Sequence, residues 1–334
     1  MKNNKIIFIN ILQAFAILTV FLGHALRIYH SGGWYFHKGE TVLICDIIDK
    51  FIYSFHMPLF VFLSGYLFFA NFDKIKNLNE YILKRIKRLL LPFLTVGLFY
   101  VIPLICIVNP LDKDIVFYYK NFLNLKFCWH LWFLPMLFIV NSIFAILFIN
   151  AKTINKFIIL PILIILNLIQ IQGPQSCIYT VPTYLIYFYL GCIFFEYRKF
   201  IQEKILKYTG AIALLMIALE TCLYFNPSNS VLKLISATSM ILLSYLISFK
   251  LSKYNFGSGF IISYLSKNLF ILYLLHEPIM AFILKQLNWG KLYTPFINVN
   301  ILFWATLTSC IIIAFIIQDL VPKLKRAIGL AHKN

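Results

Sequence analysis

The sequence predicts an all-α integral membrane protein, a bundle of about ten transmembrane helices with both termini cytoplasmic. Three observations carry this reading. The 334-residue chain is 61% hydrophobic and only 13% charged, with a mean hydropathy of +0.83, a balance no soluble domain of this length sustains. Its apolar residues fall in long unbroken runs rather than in alternation, so they read as helices and not as barrel strands. Lys and Arg gather in alternate connections, as the excess of positive charge on the cytoplasmic side requires.

The runs lie near residues 6–29, 49–70, 89–108, 130–149, 157–171, 182–197, 208–225, 231–249, 261–284 and 298–320, most of them close to the ~20 residues a bilayer crossing needs. The first is too long and too polar at its end for a cleavable signal peptide. The fifth and sixth are short and flank Gly173-Pro174; they read either as tilted spans or as half-spans around a re-entrant turn. With the N-terminus inside, 21 of the 30 basic residues fall on the cytoplasmic side. Nine do not: Arg27, Lys38, Lys50, Lys113, Lys120, Lys126, Lys233, Lys285 and Lys291. That division fits an even number of spans. No connection is long enough to fold alone and no internal repeat is visible, so residues 6–320 read as one transmembrane domain and 321–334 as a short basic cytoplasmic tail.

The formal net charge of +18 belongs to this topology and not to nucleic-acid binding. The seven cysteines, Cys45, Cys106, Cys128, Cys177, Cys192, Cys222 and Cys310, form no C-x-x-C pair and read mostly as small apolar residues within helices; a bridge among the loop-proximal Cys45, Cys128 and Cys177 stays open, although nothing in the spacing asks for it.

Chemistry concentrates in the second run. Ser54-Phe55-His56-Met57-Pro58-Leu59-Phe60-Val61-Phe62-Leu63-Ser64-Gly65-Tyr66 sets polar groups where lipid offers no hydrogen bonds, so they must face protein or a wet cavity. Pro58 and Gly65 mark places where a neighbouring helix or a ligand comes close to the backbone. His24 lies at similar depth in the first run. Of the seven histidines, His24, His30, His37, His56, His130 and His276 fall in outer halves of spans or outer loops, and only His332 falls inside. Each alone reads equally as an interfacial histidine; several at one depth point to proton transfer near neutral pH. No H-E-x-x-H or Cys/His spacing calls for a metal. The inner face carries Lys84-Arg85-Ile86-Lys87-Arg88 with Pro92 beyond it. Arg85 and Arg88 share a helix face and could grip phosphates with forked hydrogen bonds, although an ordinary positive-inside anchor reads the same way. A phosphate-bearing donor inside and a base outside describe a transferase working across the membrane.

The ordered motifs resemble acyltransferase family 3, the multi-span membrane O-acyltransferases of bacterial surface glycans. Leu12-Gln13-Ala14 through Gly23-His24-Ala25 resembles its opening motif. Phe55-His56-Met57-Pro58 with Leu63-Ser64-Gly65-Tyr66 resembles its second-span signature, and Arg85-x-x-Arg88 its R-x-x-R pair. His130-Leu131-Trp132-Phe133-Leu134 and Tyr273-Leu274-Leu275-His276-Glu277-Pro278 are similar to two further family motifs. The resemblance implies an O-acyltransferase, by default an O-acetyltransferase, in the inner (cytoplasmic) membrane. Acyl-coenzyme A is its donor, and it needs no permanently bound cofactor. A hydroxyl of a cell-surface polysaccharide or lipid-linked sugar is its acceptor. Membrane lipids and other glycan-assembly proteins complete the expected partners. It implies His24 as general base, with Arg85, Arg88 and Gln13 at the donor and His56, Ser64, Trp132, Tyr273 and His276 lining or shaping the cavity. Gln13 stands where many family members carry arginine, so part of the donor's grip moves elsewhere, Arg27 being one candidate. In this reading the thioester reaches along a channel between the first three spans, and transfer is either direct or through an acyl-histidine. A polysaccharide export or flipping protein on the same scaffold is the alternative.

Overall fold

The computed structural model describes residues 2–32, 40–108, 112–126, 128–150, 156–169, 177–254, 256–286 and 294–317, and no strand occurs among them. The helices are α1 (Lys2–Leu26), α2 (Leu43–Ala70), α3 (Leu78–Val108), α4 (Ile115–Leu123), α5 (Phe133–Asn150), α6 (Lys156–Ile169), α7 (Cys177–Glu196), α8 (Arg198–Phe225), α9 (Ser230–Ser252), α10 (Phe260–Gln286) and α11 (Pro295–Phe315). Among the described residues, nine helical stretches are long and apolar enough to cross a membrane, and α6 is a shorter apolar helix. α6 lies where the fifth of the ten expected runs falls, but is shorter than the other nine; α4 is a short helix between α3 and α5. His37, His332, Gly173-Pro174 and the basic tail at 321–334 lie outside the described residues.

Several helix ends differ from the hydropathy runs, for one physical reason. A charge ends an apolar run but does not end a helix when its partner is inside the protein. α2 begins at Leu43, six residues before the apolar run, and carries Asp46 and Asp49 buried within it. α3 begins at Leu78, where the Asn77 side chain accepts the Asn79 N–H as an N-cap, and runs through the basic segment. α3 includes π turns at Ile86–Leu90 and Gly97–Val101. α8 likewise begins in the basic segment at Arg198. α7 has 20 residues, about 30 Å of rise, so the sixth run is a full-length span and the half-span reading is set aside for it. α6, with 14 residues, rises only ~21 Å.

α2, α10 and α1 are the most enclosed helices, and α8 the most open. The closest crossing joins α2 to α7. A Cβ on Gly65 would overlap the Phe188 carbonyl, and one on Gly191 would overlap the Phe62 carbonyl; without side chains the two backbones meet directly. Aromatic rings fill the space around them, with Phe68 against Phe188 at 5.5 Å between centroids and Phe62 against Phe194 at 5.0 Å. Outward-facing Phe99, Leu214 and Phe260 remain exposed, as lipid-facing residues do.

Candidate active site

Four histidines from four elements gather around the C-terminal end of α1. His24 sits two residues before that end. Its ring centroid lies 5.0 Å from that of His276 on α10, which lies 4.9 Å from that of His130, just before α5. On the other side, the Tyr53 hydroxyl is 3.4 Å from His24 Nδ1, and the Tyr53 ring meets His56 at 4.6 Å between centroids. Gly23 gives Tyr53 room: a Cβ there would lie 3.2 Å from its ring.

The hydrogen bonds assign protons. His276 Nδ1 donates to the Tyr273 carbonyl at 2.7 Å, since a carbonyl only accepts. Its Nε2 is therefore the lone-pair side of the neutral ring, and that atom is buried with no partner among the described residues. His130 Nε2 donates to the Leu274 carbonyl at 3.1 Å. Pro278 makes this possible, because it has no N–H to bond the carbonyl four residues earlier, which is that of Leu274. Glu277 Oε2 accepts the His130 main-chain N–H at 2.9 Å and lies 3.0 Å from His130 Nδ1. With Nε2 already carrying hydrogen, the Nδ1–Oε2 contact needs one more shared proton, which makes the pair an imidazolium–carboxylate or its neutral equivalent. Trp129, next to His130, holds φ 44°, a left-handed conformation costly for a non-glycine residue. The Tyr273 hydroxyl donates to the His130 carbonyl, so the main-chain N–H, the carbonyl and Nε2 of His130 are all hydrogen-bonded to α10, with Nδ1 in ion-pair contact with Glu277.

Beyond His24, Arg27 stacks 3.8 Å from the centre of the Tyr53 ring, and its Nε lies 3.5 Å from Asp49. His30 approaches both Asp46 and Asp49, while Lys50 and Ser31 hold Asp46. Asp49 is fully buried, and such a carboxylate persists at this depth only when paired.

The R-x-x-R pair lies elsewhere. Arg85 stacks 4.8 Å from the centre of the Tyr81 ring, and Tyr81 packs on Phe68 near the far end of α2. From Tyr53 to Phe68, α2 rises ~22 Å, so histidines and arginines occupy opposite ends. The π turn at Ile86–Leu90 replaces the α-helical spacing on which a shared face rests. Arg85 is half-buried and Arg88 exposed. The Tyr81 hydroxyl donates to Asn141 Oδ1 at 3.0 Å, and Asn141 Nδ2 lies 3.3 Å from Ser64. Ser64 therefore belongs to the arginine end and not to the histidine cluster. Gln13 accepts a hydrogen bond from Ser266 at 2.6 Å, joining α1 to α10 eleven residues before His24.

A cavity of about 780 Å³ opens beside the histidine cluster. It does not lie among the first three helices, where the sequence reading places a donor channel. It is bounded by α2, α6, α7, α8, the start of α9 and the turn after α1. Arg27, Asp49, Tyr53, Ser54, Tyr184 and Glu220 are among its lining residues. Trp132 reaches it indirectly, with its ring 5.7 Å from that of Tyr184. Sequence reasoning left Tyr53, His130, Asp49 and Glu277 off its site residues, although His130 and Glu277 stand inside its motifs. Among the described residues, no three His, Cys, Asp or Glu side chains are grouped to hold a metal ion.

Comparison with curated proteins and with solved structures finds no match. The acyltransferase-domain model of acyltransferase family 3 matches residues 6–317. Together with the apolar helices, this makes the protein a multi-pass membrane acyltransferase. The chain belongs to acyltransferase family 3.

Proposed function

We propose that the protein is an O-acyltransferase of the cell (inner) membrane. It moves an acyl group, by default acetyl, from cytoplasmic acyl-coenzyme A to a hydroxyl of a cell-surface polysaccharide or lipid-linked sugar. The observation that carries this reading is the cluster of His24, His276 and His130 with Glu277, beside a large cavity and at the opposite end of α2 from Arg85 and Arg88. Both termini are cytoplasmic in this reading, so the arginine end faces acyl-coenzyme A and the cavity faces the acceptor.

His24 removes the hydroxyl proton as the acceptor oxygen attacks the thioester carbonyl. The carbon–sulfur bond breaks, and the departing thiolate takes up the proton that His24 had gained, which returns the base to its neutral form. The positive charge formed on His24 is next to the neutral His276 ring, with the His130–Glu277 pair behind that ring. Tyr53 orients the His24 ring, and the Arg27–Asp49 pair holds Tyr53. Arg85 and Arg88 meet the donor's phosphates, and Gln13 braces α1 against α10 below the base. The test is mass spectrometry of surface glycan from cells with and without this gene. Loss of an acyl mass supports transfer; unchanged acylation overturns it.

A further inference from the structure

Glu220 has no part in the chemistry above. It projects from α8 into the cavity. Its Oε1 accepts from Ser236 on α9 and lies 2.9 Å from the Ser54 hydroxyl on α2, which also reaches the Phe51 carbonyl at 2.8 Å. Its Oε2 has no hydrogen-bond partner and no cation within ion-pair reach among the described residues. Lys50, which shares the cavity, is bound to Asp46, and Arg27 to Asp49; Lys233, at the start of α9, also lines the cavity but makes no ion pair with Glu220. Placing a carboxylate inside the membrane region without a cation is costly, and such groups mark functional sites. Three helices nevertheless hold this one with an oxygen to spare. Around it stand Tyr184, Tyr187 and Tyr224, whose rings offer apolar faces and whose hydroxyls offer hydrogen bonds. Ser54 adjoins Tyr53, the partner of His24.

A carboxylate can only accept hydrogen bonds. Glu220 therefore rewards a ligand group rich in hydroxyls beside it and repels one bearing a negative charge. Resting on the acyltransferase reading above, we propose that this cavity is the acceptor site and that it takes an uncharged, hydroxyl-bearing sugar ring. Glu220 Oε2 accepts from a hydroxyl that does not react, the tyrosines cover the ring's apolar face, and the reacting hydroxyl points toward Tyr53 and His24. The same ring chemistry can arrive on a lipid-linked sugar or within a finished polysaccharide.

The test uses the full-length protein in lipid nanodiscs, acetyl-coenzyme A, and unacylated glycan prepared from cells lacking this gene, as separate lipid-linked and polymer fractions. Glu220→Gln keeps the size and can still accept from Ser236. It should keep the thermal stability and the stabilisation by acetyl-coenzyme A, yet transfer to glycan about 10-fold or more slowly, as expected for one lost hydrogen bond to a charged group. Tyr224→Ala should raise the glycan concentration needed for half-maximal rate. The acyl group should map to an uncharged sugar, and the fraction that carries it identifies the source. Normal transfer by Glu220→Gln, or an acyl group on a uronic acid or phosphorylated ring, overturns the inference. A wild-type protein that binds acetyl-coenzyme A but acylates neither fraction instead overturns the transferase reading beneath it.

Discussion

Replacing Glu277 with Gln probes the proton arithmetic of the histidine cluster. One oxygen, Oε2, serves both the His130 main-chain N–H at 2.9 Å and His130 Nδ1 at 3.0 Å. An amide cannot reproduce the charge. With its oxygen in the place of Oε2 it can still accept from both groups, but the imidazolium loses its counter-ion. With its nitrogen toward Nδ1, the buried main-chain N–H loses its acceptor. His130 cannot turn away, because Nε2 is fixed on the Leu274 carbonyl and Tyr273 bonds its own carbonyl. The charge assistance of that contact is lost, about 1–2 kcal/mol. Glu277→Ala loses both contacts and strands a buried imidazole, about 3–5 kcal/mol. Unfolding in detergent, followed by temperature or by loss of monodisperse protein, should rank wild type above Glu277→Gln above Glu277→Ala. Acyl transfer should fall even under conditions where both variants remain folded, because His276 and then His24 pack against His130. A Glu277→Gln protein as stable and as active as wild type would refute the shared-proton pair.

Two further outcomes follow from other parts of the fold. Gly65→Ala should lower thermal stability by several degrees or abolish accumulation of the protein, because its Cβ would meet the Phe188 backbone and not a movable side chain; accumulation and stability equal to wild type would mean α2 and α7 do not cross this closely. Arg85→Ala and Arg88→Ala should each weaken acetyl-coenzyme A binding, measured as loss of donor-induced thermal stabilisation, and Arg85→Lys should rescue poorly because it lacks the guanidinium fork. Donor binding unchanged in the double Ala variant would leave the pair as a topology anchor.

The span order was legible because hydropathy reports burial and lipid contact alike. Helix ends were not. Asp46 and Asp49 end the apolar run at position 49, but their partners Arg27, His30 and Ser31 come from the preceding turn, which a reading along the chain cannot pair. The convergence of His24, His56 and His276 was legible from shared depth. The position of Ser64 was not, since its neighbour Asn141 lies 77 positions away and links it to Tyr81 and the arginine end. The π turn that carries Arg88 leaves no mark in a pattern built on α-helical spacing. Pro278 showed as a motif residue, yet its effect, a free Leu274 carbonyl taken by His130, exists only after α10 meets the start of α5. Glu220 was visible as one of few acidic residues within the apolar runs; its serine partners on two other helices were not.

The central claim is that His24 is the base, and the most direct measurement compares acyl transfer by His24→Ala and His56→Ala proteins of verified fold. His56 Nδ1 is spent on the Ile52 carbonyl at 2.9 Å, and its ring packs on Tyr53, so it supports the cluster from one side. His24 stands between the Tyr53 hydroxyl and the ring of His276. A general base contributes about 10²–10⁴ in rate. The account predicts that His24→Ala loses glycan acylation by that factor while donor binding persists, and that His56→Ala retains measurable transfer; near-normal acylation by His24→Ala would contradict it.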